Sequence, residues 1–271
     1  MNDRLPDAPP PDSTREVAVL RLGPKGSQAV TDRIAAEVPI ALVFNGISHA
    51  VMMATPADLE AFALGFALSE GLLDSRAECH GIDVIGNAEG VEIQIEVAAA
   101  AEMRLKEKRR SLVGRTGCGL CGIDSLKQLD LLPEGVSPAD WVGGLQASTV
   151  LRAFAQLPSM QPLNAQTGAH HAAAWVTPEG QVTTVMEDVG RHNALDKLLG
   201  QRALDRLANN EGFVIMSSRA SYELVRKCAR LGVPVLATIS APTTLAVDIA
   251  NQAGMQLYGF CRGESAVRYA P

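Results

Sequence analysis

Aromatic residues make up only 4% of the 271-residue chain, which argues against a stacking platform for single-stranded nucleic acid. Positive charge is not in excess either. Lys and Arg number 24 against 30 Asp and Glu, a formal net charge of -6. A protein that coats nucleic acid would be basic, so any anionic ligand has to be met by a local patch. No apolar run is long enough for a membrane span, and the N-terminus lacks the basic-then-apolar order of a secretion signal. Cysteine is scarce, at five residues, too few and odd in number for a disulfide scaffold in a chain of this size. The expectation from these absences is a cytoplasmic protein with free thiols, no membrane contact and no nucleic-acid partner.

Apolar residues, at 47%, suffice for a folded core. Residues 1–15, with Pro6, Pro9, Pro10 and Pro11, read as a disordered tail. The first fold signal is the apolar run Ile40–Phe44, then Asn45-Gly46, then Ile47–Ala54. Asn-Gly between apolar runs signals a hairpin, because both residues tolerate positive φ. Thr55-Pro56-Ala57-Asp58 predicts a helix start with Thr55 as N-cap, and Gly71 ends that helix. Val91, Ile93, Ile95 and Val97 alternate with polar residues as a half-buried strand. Residues 16–112 therefore read as a small α+β domain, 113–140 as a cysteine-bearing loop and linker, and 141–271 as a second domain. There apolar strands at 213–216 and 235–239 alternate with helices over 221–231 and 243–253, closed by Gly232 and Gly254. A hairpin turns at Pro178-Glu179-Gly180, and two last strands lie near 255–260 and 266–270. Strands buried on both faces between helices imply an α/β sheet covered on each side.

The chemistry-bearing segment is Gly117-Cys118-Gly119-Leu120-Cys121-Gly122, just after a basic stretch. Residues 102–115 hold Arg104, Lys106, Lys108, Arg109, Arg110 and Arg115 against Glu102 and Glu107, a local excess of four positive charges. A Cys-x-x-Cys pair serves as half a zinc site, as a dithiol redox centre, or as a carrier of sulfane sulfur. Zinc needs two more ligands, and Cys79, Cys228 and Cys261 form no second pair, which leaves zinc shared between two subunits as the less favoured reading. A redox pair usually sits on a strand-to-helix turn, which this flanking does not resemble. A carrier thiolate wants glycine around it for reach and cations beside it for stability, both of which are present. The plain alternative is a glycine loop with two incidental cysteines.

Other clusters stand at predicted strand ends. Glu187–Lys197 is dense in polar groups; its plain reading is a capped helix start, Asp188 as N-cap, with Asp196 and Lys197 on a solvated face. His170 and His171 form a pair that two nitrogens alone do not make into a metal site. Ser217–Ser221, Ser240–Thr244 and Gly259–Glu264 each adjoin a strand, where helix N-termini offer N–H groups to phosphate.

These segments in order resemble the FdhD family, the formate dehydrogenase accessory sulfurtransferases, over residues 38–271. The motifs are Asn45-Gly46, Thr55-Pro56 to Glu70-Gly71, Arg115–Gly122, Thr167–His171, Glu187–Lys197, Ser218–Glu223, Ser240–Thr243 and Gly259–Arg262. The resemblance implies a C-terminal cytidine-deaminase-like three-layer αβα domain with a smaller N-terminal α+β domain, and a homodimer. It implies that a cysteine desulfurase supplies sulfur, held as a persulfide on Cys118 with Cys121 beside it. It implies delivery to the molybdenum bis(molybdopterin guanine dinucleotide) cofactor for formate dehydrogenase, with no permanently bound metal. Phe260, Cys261, Arg262, Gly263, Glu264 and Ser265 match the family's cofactor-binding segment. The expected pocket adds His171, Asp188, Arg191, His192, Arg219 and Thr243, with Glu187 and Asp188 accepting from guanine. A zinc nucleobase deaminase is the rival from the same fold. It requires a glutamate two residues after the ligand histidine, where Ala173 stands, and thiolates where Ser218 and Ser221 stand. A cofactor-binding chaperone with structural cysteines is the remaining reading.

Overall fold

The computed structural model describes residues 10–24, 26–110 and 133–271. The chain opens with an antiparallel ribbon of β1 (Thr14–Gly23) and β2 (Gly26–Ala35), paired along their full length. β1 begins at Thr14, inside the stretch read as a tail, and the ribbon was no part of the sequence expectation.

The small unit is a four-stranded sheet in the order β4-β3-β6-β5. β3 (Val38–Phe44) and β4 (Ile47–Ala54) form the expected hairpin, with Asn45 and Gly46 at φ 46 and 76. β5 (Cys79–Asn87) and β6 (Gly90–Val97) complete it, and β6 alternates buried and wetter positions as its sequence predicts. Ile40, Leu42, Ile93 and Ile95 pack beneath α1 (Leu59–Ser69), together with Ala101 and Leu105 of α2 (Ala99–Arg110). α1 does not start as predicted. Its N-cap is Asp58, at φ 52, and makes no side-chain cap bond. Thr55 is wholly buried and is used elsewhere.

The large unit is a six-stranded sheet in the order β12-β11-β10-β9-β7-β8. β7 (His171–Val176) and β8 (Val182–Asp188) are the predicted hairpin, and Gly180 N–H bonds Thr177 O in its turn. β9 (Phe213–Met216), β10 (Val235–Thr238) and β11 (Gln256–Arg262) run parallel, and β12 (Ser265–Ala270) returns antiparallel. One face carries α5 (Arg191–Leu204), α6 (Tyr222–Arg230) and α7 (Thr244–Ala253), which cover Trp175, Val214, Met216 and Leu236. The other carries α3 (Ala147–Gln156) and the short turn after it, covering Ala172, Ala174, Phe213 and Ile215. A further short helix, α4 (Pro162–Thr167), leads into β7. The result is the three-layer αβα architecture that the resemblance implied.

The two units join where α1 crosses α5. Both crossing positions are glycine, because a Cβ on Gly65 would sit on the Asp196 carbonyl and one on Gly200 on the Ala61 carbonyl. Around the crossing lies a buried polar network. Asp188 accepts from Thr55 N–H (3.0 Å) and pairs with Lys197 (2.7 Å), while Thr55 Oγ1 accepts from Val189 N–H (3.1 Å). Asn193 donates to Met53 O (2.9 Å), and Lys227 pairs with Asp196 (2.9 Å) and Glu70 (2.8 Å). Asp196 and Lys197 are 1% and 0% exposed, so the plain reading of a solvated face is wrong. Asp188 is not the N-cap of α5 either; that position is Gly190.

Candidate functional site

The parallel run of β9, β10 and β11 brings their C-terminal ends to one edge of the large sheet. β8 ends there too, opposite the start of β7, since His171 pairs with Asp188 and Ala173 with Met216. The loops at this edge are stitched together: Ala220 N–H bonds Ala241 O, Thr243 N–H bonds Ala220 O, and Phe260 N–H bonds Ser240 O. Ala172 N–H bonds the Ser217 hydroxyl at 2.8 Å. So His171, Val189–His192, Ser217–Ser221, Ser240–Thr243 and the end of β11 meet in space. Helix N-termini and strand ends of an open α/β sheet are where ligands bind.

Cationic groups dominate this edge. Arg191 is half-buried, and among the described residues its buried Nε has no hydrogen-bond partner. Burial and the nearby charge of Arg219 push the Arg191 guanidinium below its usual range, and Glu223 opposes this. Arg219 is exposed. Burial also lowers the His171 ring, and Arg191 adds to the effect. Like charges that act on each other at a partly buried edge favour an anion beside them.

Beside them, His192 Nε2 lies 3.0 Å from Glu223 Oε2 and 3.4 Å from Ser221 Oγ, which itself donates to Glu223 at 3.1 Å. Burial pushes the Glu223 carboxyl up, but bonds from His192 and Ser221 and the charge of Arg191 more than offset it. Glu223 was not among the expected site residues. Its position two residues after a helix N-cap serine reads as ordinary capping, and only the fold brings His192 onto it.

The end of β11 is irregular. Phe260 has φ 51, an uncommon conformation for a bulky residue, next to a register shift in the β11–β12 pair. Arg262 stands over the Phe260 ring at 5.6 Å. Arg262, Gly263, Glu264 and Ser265 are exposed and Phe260 is half-buried.

Several expected residues are placed differently. Asp188 is 0% exposed and its oxygens are taken by Thr55, Gly190, Asn193 and Lys197. Glu187 is buried, accepting from Leu163 and Asn164 N–H at 2.9 and 2.7 Å. Neither carboxylate is free to accept from guanine, and both instead hold the edge in shape. Cys261 points into the core at 0% exposure, its thiol pushed up to about 12 by burial. The Thr243 hydroxyl caps α7, accepting from Ala246 N–H. Within the basic stretch, Arg104 is tied to Glu78 (2.5 Å) and Lys106 to Glu102 (2.6 Å). Cys118, Cys121 and Arg115 lie outside the described residues.

Fold and site together define a class: a three-layer α/β protein with a cationic strand-end edge, joined to a small α+β unit. A sequence profile of the FdhD/NarQ family matches residues 35–271, and the chain belongs to that family. It is 55% identical over 253 residues to a sulfur carrier protein FdhD of Chromobacterium violaceum, covering 93% of this chain and 94% of that one. A protein of the same name from Burkholderia mallei is 50% identical, with 96% of each chain covered. A crystal structure of a formate dehydrogenase accessory protein from Desulfotalea psychrophila superposes with a TM-score of 0.74. At 23% identity it covers 96% of this chain and 98% of that one, which shows the shared fold.

Proposed function

We propose that the chain is a cytoplasmic sulfur carrier and sulfurtransferase of formate dehydrogenase maturation, working as a homodimer. Cys118 takes sulfane sulfur as a persulfide from a cysteine desulfurase. The terminal sulfur passes to molybdenum bis(molybdopterin guanine dinucleotide), the acceptor substrate, before that cofactor enters formate dehydrogenase. In loading, the Cys118 thiolate attacks the terminal sulfur of the donor's persulfide. One S–S bond forms as another breaks, the donor leaves as a thiolate, and no outside oxidant is consumed.

Family membership and the Cys-x-x-Cys segment support the sulfur chemistry. The observation that carries the acceptor is Arg191 at the sheet edge, within reach of the charge of Arg219 and with a buried Nε that has no partner among the described residues. A diphosphate would supply the missing acceptor and the missing negative charge. Incubation with a cysteine desulfurase and cysteine, then mass spectrometry, should show one added sulfur atom on the Cys118 peptide and none in Cys118→Ala. Arg191→Ala should weaken guanosine diphosphate binding roughly tenfold in calorimetry while leaving sulfur loading intact. Nucleotide binding without any sulfur gain on Cys118 would replace this reading with that of a non-covalent cofactor chaperone.

A further inference from the structure

The β1–β2 ribbon carries aliphatic residues on both faces, interleaved with polar and charged ones. Its register puts Val17, Val19, Val30 and Ile34 on one side and Ala18, Leu20, Leu22 and Ala29 on the other. Leu20 and Leu22 are 60% and 75% exposed. A lone two-stranded ribbon with exposed aliphatic side chains is marginal in water. Its own chain supports it mainly at α4, where Arg33 donates to Gln166 at 2.7 Å. The valine face ends in two cations, Arg15 opposite Ile34 and Arg21 opposite Gln28, with the single acid Asp32 opposite Val17 between them, so its net charge is positive.

A matching surface lies on the small sheet, on the side away from α1. There Val51 and Met53 of edge strand β4 are 61% and 49% exposed. The register places Val51 beside Ala41, Ala41 beside Glu92, and Gln94 beside Asp83. Glu92, Glu96 and Asp83 give this face its charge, and among the described residues none of them has a cation partner. A depression of about 330 Å³ opens between Asn45, Gly46, His80 and Gln94–Val97.

We infer that the ribbon of one copy lies, valine face down, on the outer face of the small sheet of a second copy, and reciprocally. The ribbon brings aliphatic side chains flanked by arginines; the sheet brings aliphatic side chains flanked by carboxylates. One chain carries both halves of the contact, the condition for a closed two-fold dimer. A ten-residue ribbon is roughly 33 Å long and about 10 Å wide. Two such arms with their receiving surfaces bury on the order of 1,200 Å², the lower end of what a stable dimer needs. The inference specifies the surface of the homodimer in the reading above and is independent of its sulfur chemistry.

The test is a charge exchange on the full chain, read by sedimentation equilibrium at low salt. Arg15→Glu/Arg21→Glu makes the ribbon anionic, and Glu92→Lys/Glu96→Lys makes the sheet cationic. Each variant alone sets like charge on like at both contacts and should dissociate ~tenfold or more readily than the parent. In an equimolar mixture both contacts of the heterodimer are again opposite in sign, so parental affinity should return. Circular dichroism checks that each variant is folded. A parent that is monomeric overturns both the homodimer and this interface. A dimeric parent whose variants associate as tightly as it does, or whose mixture is no tighter than either alone, overturns the ribbon contact only. In either case loading of Cys118 with sulfur is unaffected.

Discussion

His171 sits at the start of β7, where burial and Arg191 hold its ring below the ordinary value of 6.5. The folded protein therefore resists a proton that the unfolded chain accepts. Between 6.5 and the folded value the unfolded state binds more protons, so stability is fully present above 6.5 and lost as pH falls. Urea midpoints measured on both sides of 6.5 should drop on the acid side, and His171→Gln should reduce that drop. His170, also lowered by burial, stays in the variant and keeps part of it. Equal acid-side losses in the two proteins would refute the assignment to His171. Which residues turn inward at this edge was not legible in the sequence. Strict alternation along β11 would put Cys261 on the face opposite Tyr258, yet both lie in the same core cluster. The register shift next to Phe260 resets the alternation, and the one residue-type hint of such a bulge, Gly259 inside an apolar strand, does not say which side chains it turns inward.

At the level of helices, the α1–α5 crossing invites a substitution with an unusual sign. Gly200 lies inside α5, where alanine is ordinarily favoured by about 1 kcal/mol. Here its methyl group would enter the Ala61 carbonyl, so the helices must part. Gly200→Ala should cost ~3 kcal/mol or more in urea unfolding; a neutral or stabilised variant would mean that the units do not meet here. Elements with strong local punctuation were readable. β9 and β10 are short apolar runs, and α6 and α7 stop just before glycines at φ 73 and 72. The ribbon was missed because its apolar residues show no single face. Gly23-Pro24-Lys25-Gly26, a turn signature between two β-prone stretches, was the available clue. Glu187–Lys197 was legible as special but not in its role. Its polar residues looked like a ligand surface or a wet helix, and only a second unit packed against it makes them a buried joint.

Across the whole molecule, that joint predicts cooperative unfolding. Both tryptophans, Trp141 and Trp175, belong to the large unit, so their fluorescence reports on it alone, whereas far-ultraviolet circular dichroism reports on both units. The two urea curves should coincide. Lys197→Met removes the cation that faces Asp188, and a buried charge left without its partner costs about 3–5 kcal/mol. The variant should lose that much in both signals together. Separate transitions in the parent would show that the small unit stands or falls by itself.

The packing of the cores also bears on where sulfur can go astray. Cys79, Cys228 and Cys261 are 4%, 0% and 0% exposed, and burial raises all three thiols, Cys261 to about 12. Thiols so shielded and so reluctant to ionise are poor nucleophiles. A reactive sulfur atom arriving at the native protein meets no competing acceptor among them, and an oxidant finds little there to damage. The interior is chemically silent, and silence in the interior keeps a labile cargo from being misdelivered within its own carrier.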